Sequence, residues 1–237
     1  MLIDMNTNKI IFLIISLLCL ALPSEASKSD IDEWITKLDK SLEMSSVYQA
    51  QHEQRIQDLK NMVTGYEGLG TRFEINHRIY LAYQFYKADS AIVYAQKNID
   101  IAAKLNNSEL IALAKCNLAF ISVASGDNIQ SYQLLSSIDV SDMPTWLKIE
   151  YYKTKYKLWV EQRNYLVAST QQKSIYARYA ANAIDSLLAL VKPQSNDWYE
   201  YTIVKVLEKN DNNMVIQLVN QALAHSKDKH YMAGLYM

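Results

Sequence analysis

The chain has 237 residues, half of them hydrophobic and 21% charged, and its 24 Lys and Arg nearly match its 25 Asp and Glu. This balance excludes a disordered chain, and a formal net charge of −1 leaves no electrostatic footprint for nucleic acid. Five Gly and three Pro are too few turn-formers for a sandwich or barrel, and imply long helices joined by short polar loops.

Residues 1–26 carry the pattern of a secretory leader. Lys9 supplies the positive start, Ile10 to Leu22 form an apolar stretch, Pro23 breaks it, and Ser24 and Ala26 set small residues at the −3 and −1 positions of a cleavage site. The apolar stretch would span only about 20 Å as a helix, short of a hydrocarbon core of about 30 Å. Leu18 immediately before Cys19 does not satisfy a lipobox, which needs a small residue there. The mature chain is therefore expected to be exported, with equal numbers of acids and bases. Cys116 would then be its one thiol, set in an apolar helical run that reads as buried and inert.

A long first helix is expected over residues 28–68, capped by Asp30 or Asp32 and running to about Thr64. Ile31, Ile35, Leu38 and Leu42, then Ile56, Leu59 and Val63, follow a 4-3-4 spacing, with Ser45, Gln49 and His52 as a polar middle. So interrupted a heptad makes a poor coiled coil, and packing on a neighbouring array accounts for it better. Gly65, Gly68 and Gly70 mark its end.

Residues 71–237 read as helical pairs. The first is Arg72 to Lys87 with Asp89 to Leu105, in which Ile75, Ile79, Tyr80, Ala82 and Tyr83 meet Ala91, Tyr94, Ala95 and Ile99, and Asp89-Ser90 caps the second helix. The second is Glu109 to Ser125, a Gly126-Asp127 turn, and Ile129 to Ser137; Ala119, Ser122 and Ser131 fall where tetratricopeptide helices need small residues. The third opens near Met143-Pro144 and answers with Ser174 to Val191. The fourth opens at Asp197-Trp198, turns at Asn210-Asp211-Asn212 and covers Met214 to Ala224, and a fifth begins at Lys229-His230-Tyr231. The fold class is all-α: a tetratricopeptide-like array of helical hairpins, an α-solenoid, preceded by one long helix. Because the sequence stops in an apolar helical run without a polar closing helix, the array is expected to continue beyond Met237.

Catalytic signatures are missing. His52, His77, His225 and His230 lack metal-ligand spacing, and no GxSxG, CxxC, Walker or GxGxxG pattern occurs, so neither a metal, a cofactor nor an enzyme activity is expected. The one feature that invites a binding role is the aromatic stripe of the third pair, Tyr151, Tyr152, Tyr156 and Trp159. Core packing explains it; so does a groove for a peptide or glycan formed by Tyr152, Tyr156 and Trp159, since aromatics give large contact area at low entropy cost.

Ile31 to Tyr48, with Leu38-Asp39, Arg55-Ile56, Leu59-Lys60, Tyr86-Lys87, Asp89-Ser90-Ala91, Tyr94-Ala95, Leu105-Asn106 and Lys148 to Tyr152, resembles a Bacteroidetes family of exported tetratricopeptide-like proteins carrying domain of unknown function 6377. Met44 departs from its pattern, where Arg is expected. The resemblance implies a periplasmic input half, followed beyond Met237 by a transmembrane helix, a coiled coil and a cytoplasmic helix-turn-helix. It would thus be a non-enzymatic sensor or scaffold for a protein, peptide or saccharide, anchored to the membrane through that later segment and reading no nucleic acid within this segment. A surface nutrient-capture protein and a structural assembly platform are the alternatives.

Overall fold

The computed structural model describes residues 25–65, 68–165 and 170–226. Residues 1–24 of the leader, and the fifth pair, which begins at Lys229, lie outside the described residues. Among the described residues there are nine helices and no strand. The chain divides into two units, Met1–Arg55 and Ile56–Met237.

Helix α1, Glu25–Gly65, runs through 41 residues. It starts earlier than the sequence signals suggest, so Asp30 and Asp32 lie inside the helix rather than capping it. Its first half carries an exposed stripe, Ile31, Ile35, Leu38 and Leu42, each about half accessible. The same spacing continues into Ile56, Leu59 and Val63, which pack with Ile79, Tyr83, Ala91 and Ala95 in the first core cluster of the second unit.

That unit holds four helical pairs: α2 (Leu69–Tyr83) with α3 (Ala88–Lys104), α4 (Ser108–Ala124) with α5 (Asn128–Ser136), α6 (Thr145–Tyr165) with α7 (Thr170–Leu188), and α8 (Asn196–Leu207) with α9 (Asn212–His225). Each helix packs on the next, and α4 also packs directly on α6. This additional neighbour explains why α4 is buried on several sides, through Ala112, Ala114, Cys116, Leu118, Ile121 and Val123. Small residues mark the closest approaches: Ala91, Ala102, Ala114, Ala119, Ser131 and Ala180 have no exposed surface. A larger side chain there would separate two helices at a cost of about 1–3 kcal/mol.

The turns follow their local chemistry. The side chains of Asn107, Asp127, Ser195 and Asp211 accept hydrogen bonds from the backbone N–H of Leu110, Gln130, Trp198 and Met214, satisfying donors that the first helical turn leaves open. Gly126 takes a φ of +85° between α4 and α5, a conformation open to glycine at little cost. Asp89-Ser90 does not cap α3: Lys87 is the N-cap, without a side-chain bond, and Asp89 lies in the first turn, where its charge suits the helix dipole. Gly70 likewise belongs to α2 and not to the break, which falls at Gly68.

The first pair meets as its spacing predicts. Ile75, Ile79, Tyr80 and Tyr83 are buried against Ala91 and Ala95, with Ala82, Tyr94 and Ile99 at the margin. Less legible were two buried amides, Asn76 and Asn98. The Asn98 Nδ2 donates to the Phe73 carbonyl at 3.1 Å, tying α3 to α2.

Candidate functional site

Helix α6 contributes to two cavities, one on each side. At roughly 100° per residue, positions 151, 152, 155, 158 and 159 fall in one arc and positions 150, 153 and 154 in the opposite one. The aromatic stripe read from the sequence is therefore split by helical phase.

The first arc faces α5 and α7 and lines a cavity of about 430 Å³ with Tyr132, Tyr179, Asn182 and Ser186. Tyr152 and Trp159 both lie on it. Trp159 is held on three sides: by Tyr132 with centroids 5.9 Å apart, by Tyr176 stacked at 5.8 Å and by Tyr179 at 4.9 Å. Lys155 lies over the Tyr151 ring at 5.2 Å. Tyr151 is buried and Tyr152 is packed against the same core cluster, so the wall is partly core and partly surface.

Tyr156 is not brought to this cavity. Four residues past Tyr152 and three before Trp159, it sits at the edge of the arc and turns toward α8, where its ring meets Tyr201 edge-on at 6.0 Å. Burial, with the nearby Glu208 carboxylate, pushes its hydroxyl up to about 12.

The opposite arc opens on a cavity of about 530 Å³ built from the first helix of every pair: His77, Phe85, Asn117, Trp146, Glu150 and Glu200 are among its walls, with α2, α4, α6 and α8 all contributing. Its polar groups form a connected set. Lys153 Nζ stands 3.3 Å from Glu150 Oε1 and 3.0 Å from Asp197 Oδ2. Burial pulls the Lys153 ammonium down, but Glu150 and Asp197 together outweigh it and hold its pKa above the ordinary value. Burial raises the Glu200 carboxyl, and Asp197 adds to the rise while Lys153 offsets it. His77 is depressed by burial, against the opposing pull of Glu74 and Glu150. The Asn117 amide lies 3.0 Å from His77 Nδ1, and a donated bond there leaves the imidazole proton on Nε2. The buried Tyr80 hydroxyl donates to the Asn117 carbonyl at 3.1 Å. Cys116 also lines this cavity, but burial pushes its thiol up to about 12, which leaves it protonated and a poor nucleophile.

Aromatic edges, carboxylates, an ammonium and a neutral imidazole converge on a space large enough for a small molecule or a side chain of a larger one. Sequence reasoning took His77 for a histidine without ligand spacing, Cys116 for a buried thiol and Glu150 and Glu200 for single carboxylates in surface or dipole roles, and did not bring them together. Residues 77, 117, 150 and 200 are far apart in the chain, and only the stacking of the pairs brings them together. Among the described residues no three His, Cys, Asp or Glu side chains gather as a metal site.

Helical pairs stacked through small residues, with cavities between them, define a tetratricopeptide-like array, a class that generally works by binding other proteins. A family model, the SusR N-terminal TPR domain, matches residues 42–237, and the chain belongs to that family. No curated protein and no solved structure matches it.

Proposed function

We propose that this chain is a non-enzymatic, periplasmic helical-repeat sensor, the input half of a membrane-spanning transcriptional regulator, and that the cavity walled by α2, α4, α6 and α8 receives its protein, peptide or saccharide signal. Kinship with the group carrying domain of unknown function 6377 is part of this reading, as are export through the residue 1–26 leader and membrane attachment beyond Met237. The observation that carries the reading is that one cavity draws its walls from all four pairs. A guest bound there touches each pair at once, so its affinity depends on how the pairs are stacked, and binding selects one stacking over others. The family match, a TPR domain named for its place at the N-terminus, supports a sensing or scaffolding part of a regulator. Tyr152 and Trp159 on the other side of α6 are proposed as a secondary groove, to which Tyr156 does not contribute.

Two measurements test this. Trp146 lines the four-helix cavity and Trp159 the aromatic one; the Trp159→Phe variant keeps Trp34, Trp146 and Trp198, so when it is titrated with oligosaccharides and short peptides, the part of its emission change that Trp146→Phe abolishes reports occupancy of the former. A saturable shift that disappears on adding Trp146→Phe supports the reading; silence across both ligand classes counts against it. Reading the gene beyond codon 237 should show a hydrophobic run of about 20 residues. A stop codon directly after it would remove the regulator.

A further inference from the structure

A third cavity, of about 430 Å³, lies away from both sites, where the end of α1 meets α2 and α3. Each helix presents one stripe to it: Lys60 from α1, Arg72 and Asn76 from α2, and Lys97, Asp100 and Lys104 from α3. Four cations thus face one carboxylate, in a chain whose cations and carboxylates are otherwise almost equal in number. Among the described residues no carboxylate stands within ion-pairing distance of Arg72, Lys97 or Lys104, even though Asp100 lies three residues from Lys97 and four from Lys104. Lys60 is oriented by the Tyr83 hydroxyl at 2.9 Å, and Lys97 by the Tyr94 ring at 4.5 Å. The almost fully buried Asn76 gives the cavity a polar wall.

Simple helix chemistry accounts for one of the four. Lys104 stands in the last turn of α3, where the helix dipole favours a cation. The dipole gives no reason for Lys60, Arg72 and Lys97 to converge from three helices on the same concavity, at the expense of mutual repulsion. A guest carrying two or more negative charges would relieve that repulsion, and Arg72 can grip a carboxylate or phosphate with paired N–H groups. The cavity lies within the size range of small-molecule sites. We infer that this cleft binds a small polyanion bearing carboxylate or phosphate groups, independently of whatever occupies the four-helix cavity.

Calorimetric titration of the purified chain with citrate and with pyrophosphate tests the assignment. Both are multivalent and differ in the charged group, so the stronger of the two tells carboxylate from phosphate, and equal affinity supports recognition of charge alone. Binding should weaken at least tenfold in the Arg72→Gln/Lys97→Gln double variant and fall as NaCl rises from about 50 to about 200 mM, since the contacts are screened. Both positions are solvent-exposed, and a circular dichroism spectrum confirms that the variant keeps its helices. If the double variant loses helicity, Lys97→Gln alone carries the comparison. Failure of both anions to bind, or binding that the substitutions leave unchanged, overturns the inference.

Discussion

The two cavities flanking α6 are close neighbours built in opposite ways. On one side Trp159, Tyr132, Tyr176 and Tyr179 hold one another by ring contacts, above a floor that includes the buried Leu158. On the other, Lys153 stands between Glu150 and Asp197, beside a neutral His77 and a carboxyl at Glu200 whose pKa is raised. The aromatic side gains chiefly from burial and ring packing, which respond little to pH. The ionic side depends on charges that water and protons can modify. A single helix thus carries a ring-packed face and a charged one.

Leu158→Ala strikes the aromatic side where it is deepest, at a side chain only 1% exposed. The expected loss is about 2–5 kcal/mol, read from the midpoint of urea unfolding. Trp159→Ala and Tyr152→Ala remove half-buried rings and should each cost less, about 1–3 kcal/mol. A cost near zero for both would move them from the core to a free groove. On the ionic side, Lys153→Met leaves Glu150 and Asp197 without their shared cation and should destabilise by about 1 kcal/mol at neutral pH, read from the midpoint of urea unfolding.

The smallest effects are those of pH, and the two groups have opposite signs. The folded-state pKa of His77 is depressed, so the unfolded chain binds its proton first and stability falls as pH drops below about 6.5, the ordinary histidine value. His77→Gln should flatten the melting temperature between pH 7 and pH 5. The folded-state pKa of Glu200 is raised, so its contribution is complete below about 4.3 and is lost as pH rises. Glu200→Gln should therefore raise the melting temperature at pH 7 and leave it unchanged in acid. Equal pH profiles for both variants and the parent chain would erase the contrast between the two faces.

Much of the fold was legible in the sequence. The i, i+3, i+4 spacing of Ile75, Ile79, Tyr83 and of Ala91, Ala95 marks the faces that meet within the first pair, and the Gly126-Asp127 and Asn210-Asp211-Asn212 turns fall where Asp127 and Asp211 cap the helix that follows. Signals that rest on local preference alone fared less well: Asp89-Ser90 resembles a cap, but the helix begins one residue before it. The candidate site was legible only in part. Tyr152 and Trp159 are one heptad apart and had to share a face, while Tyr156 lies on its margin and follows Tyr201. The cavity through His77, Asn117, Glu150 and Glu200 was invisible, because no periodicity within one helix records which face the next pair will cover.

Cys116 belongs to the second core cluster and also borders the four-helix cavity, with 2% of its surface exposed. In a Cys19→Ser background it becomes a clock for breathing of α4: a thiol reagent can reach it only while the helix has lifted from its neighbours, so the labelling rate reports how often that happens. An occupant of the four-helix cavity should slow the clock, and one confined to the cleft of α1, α2 and α3 should slow it less.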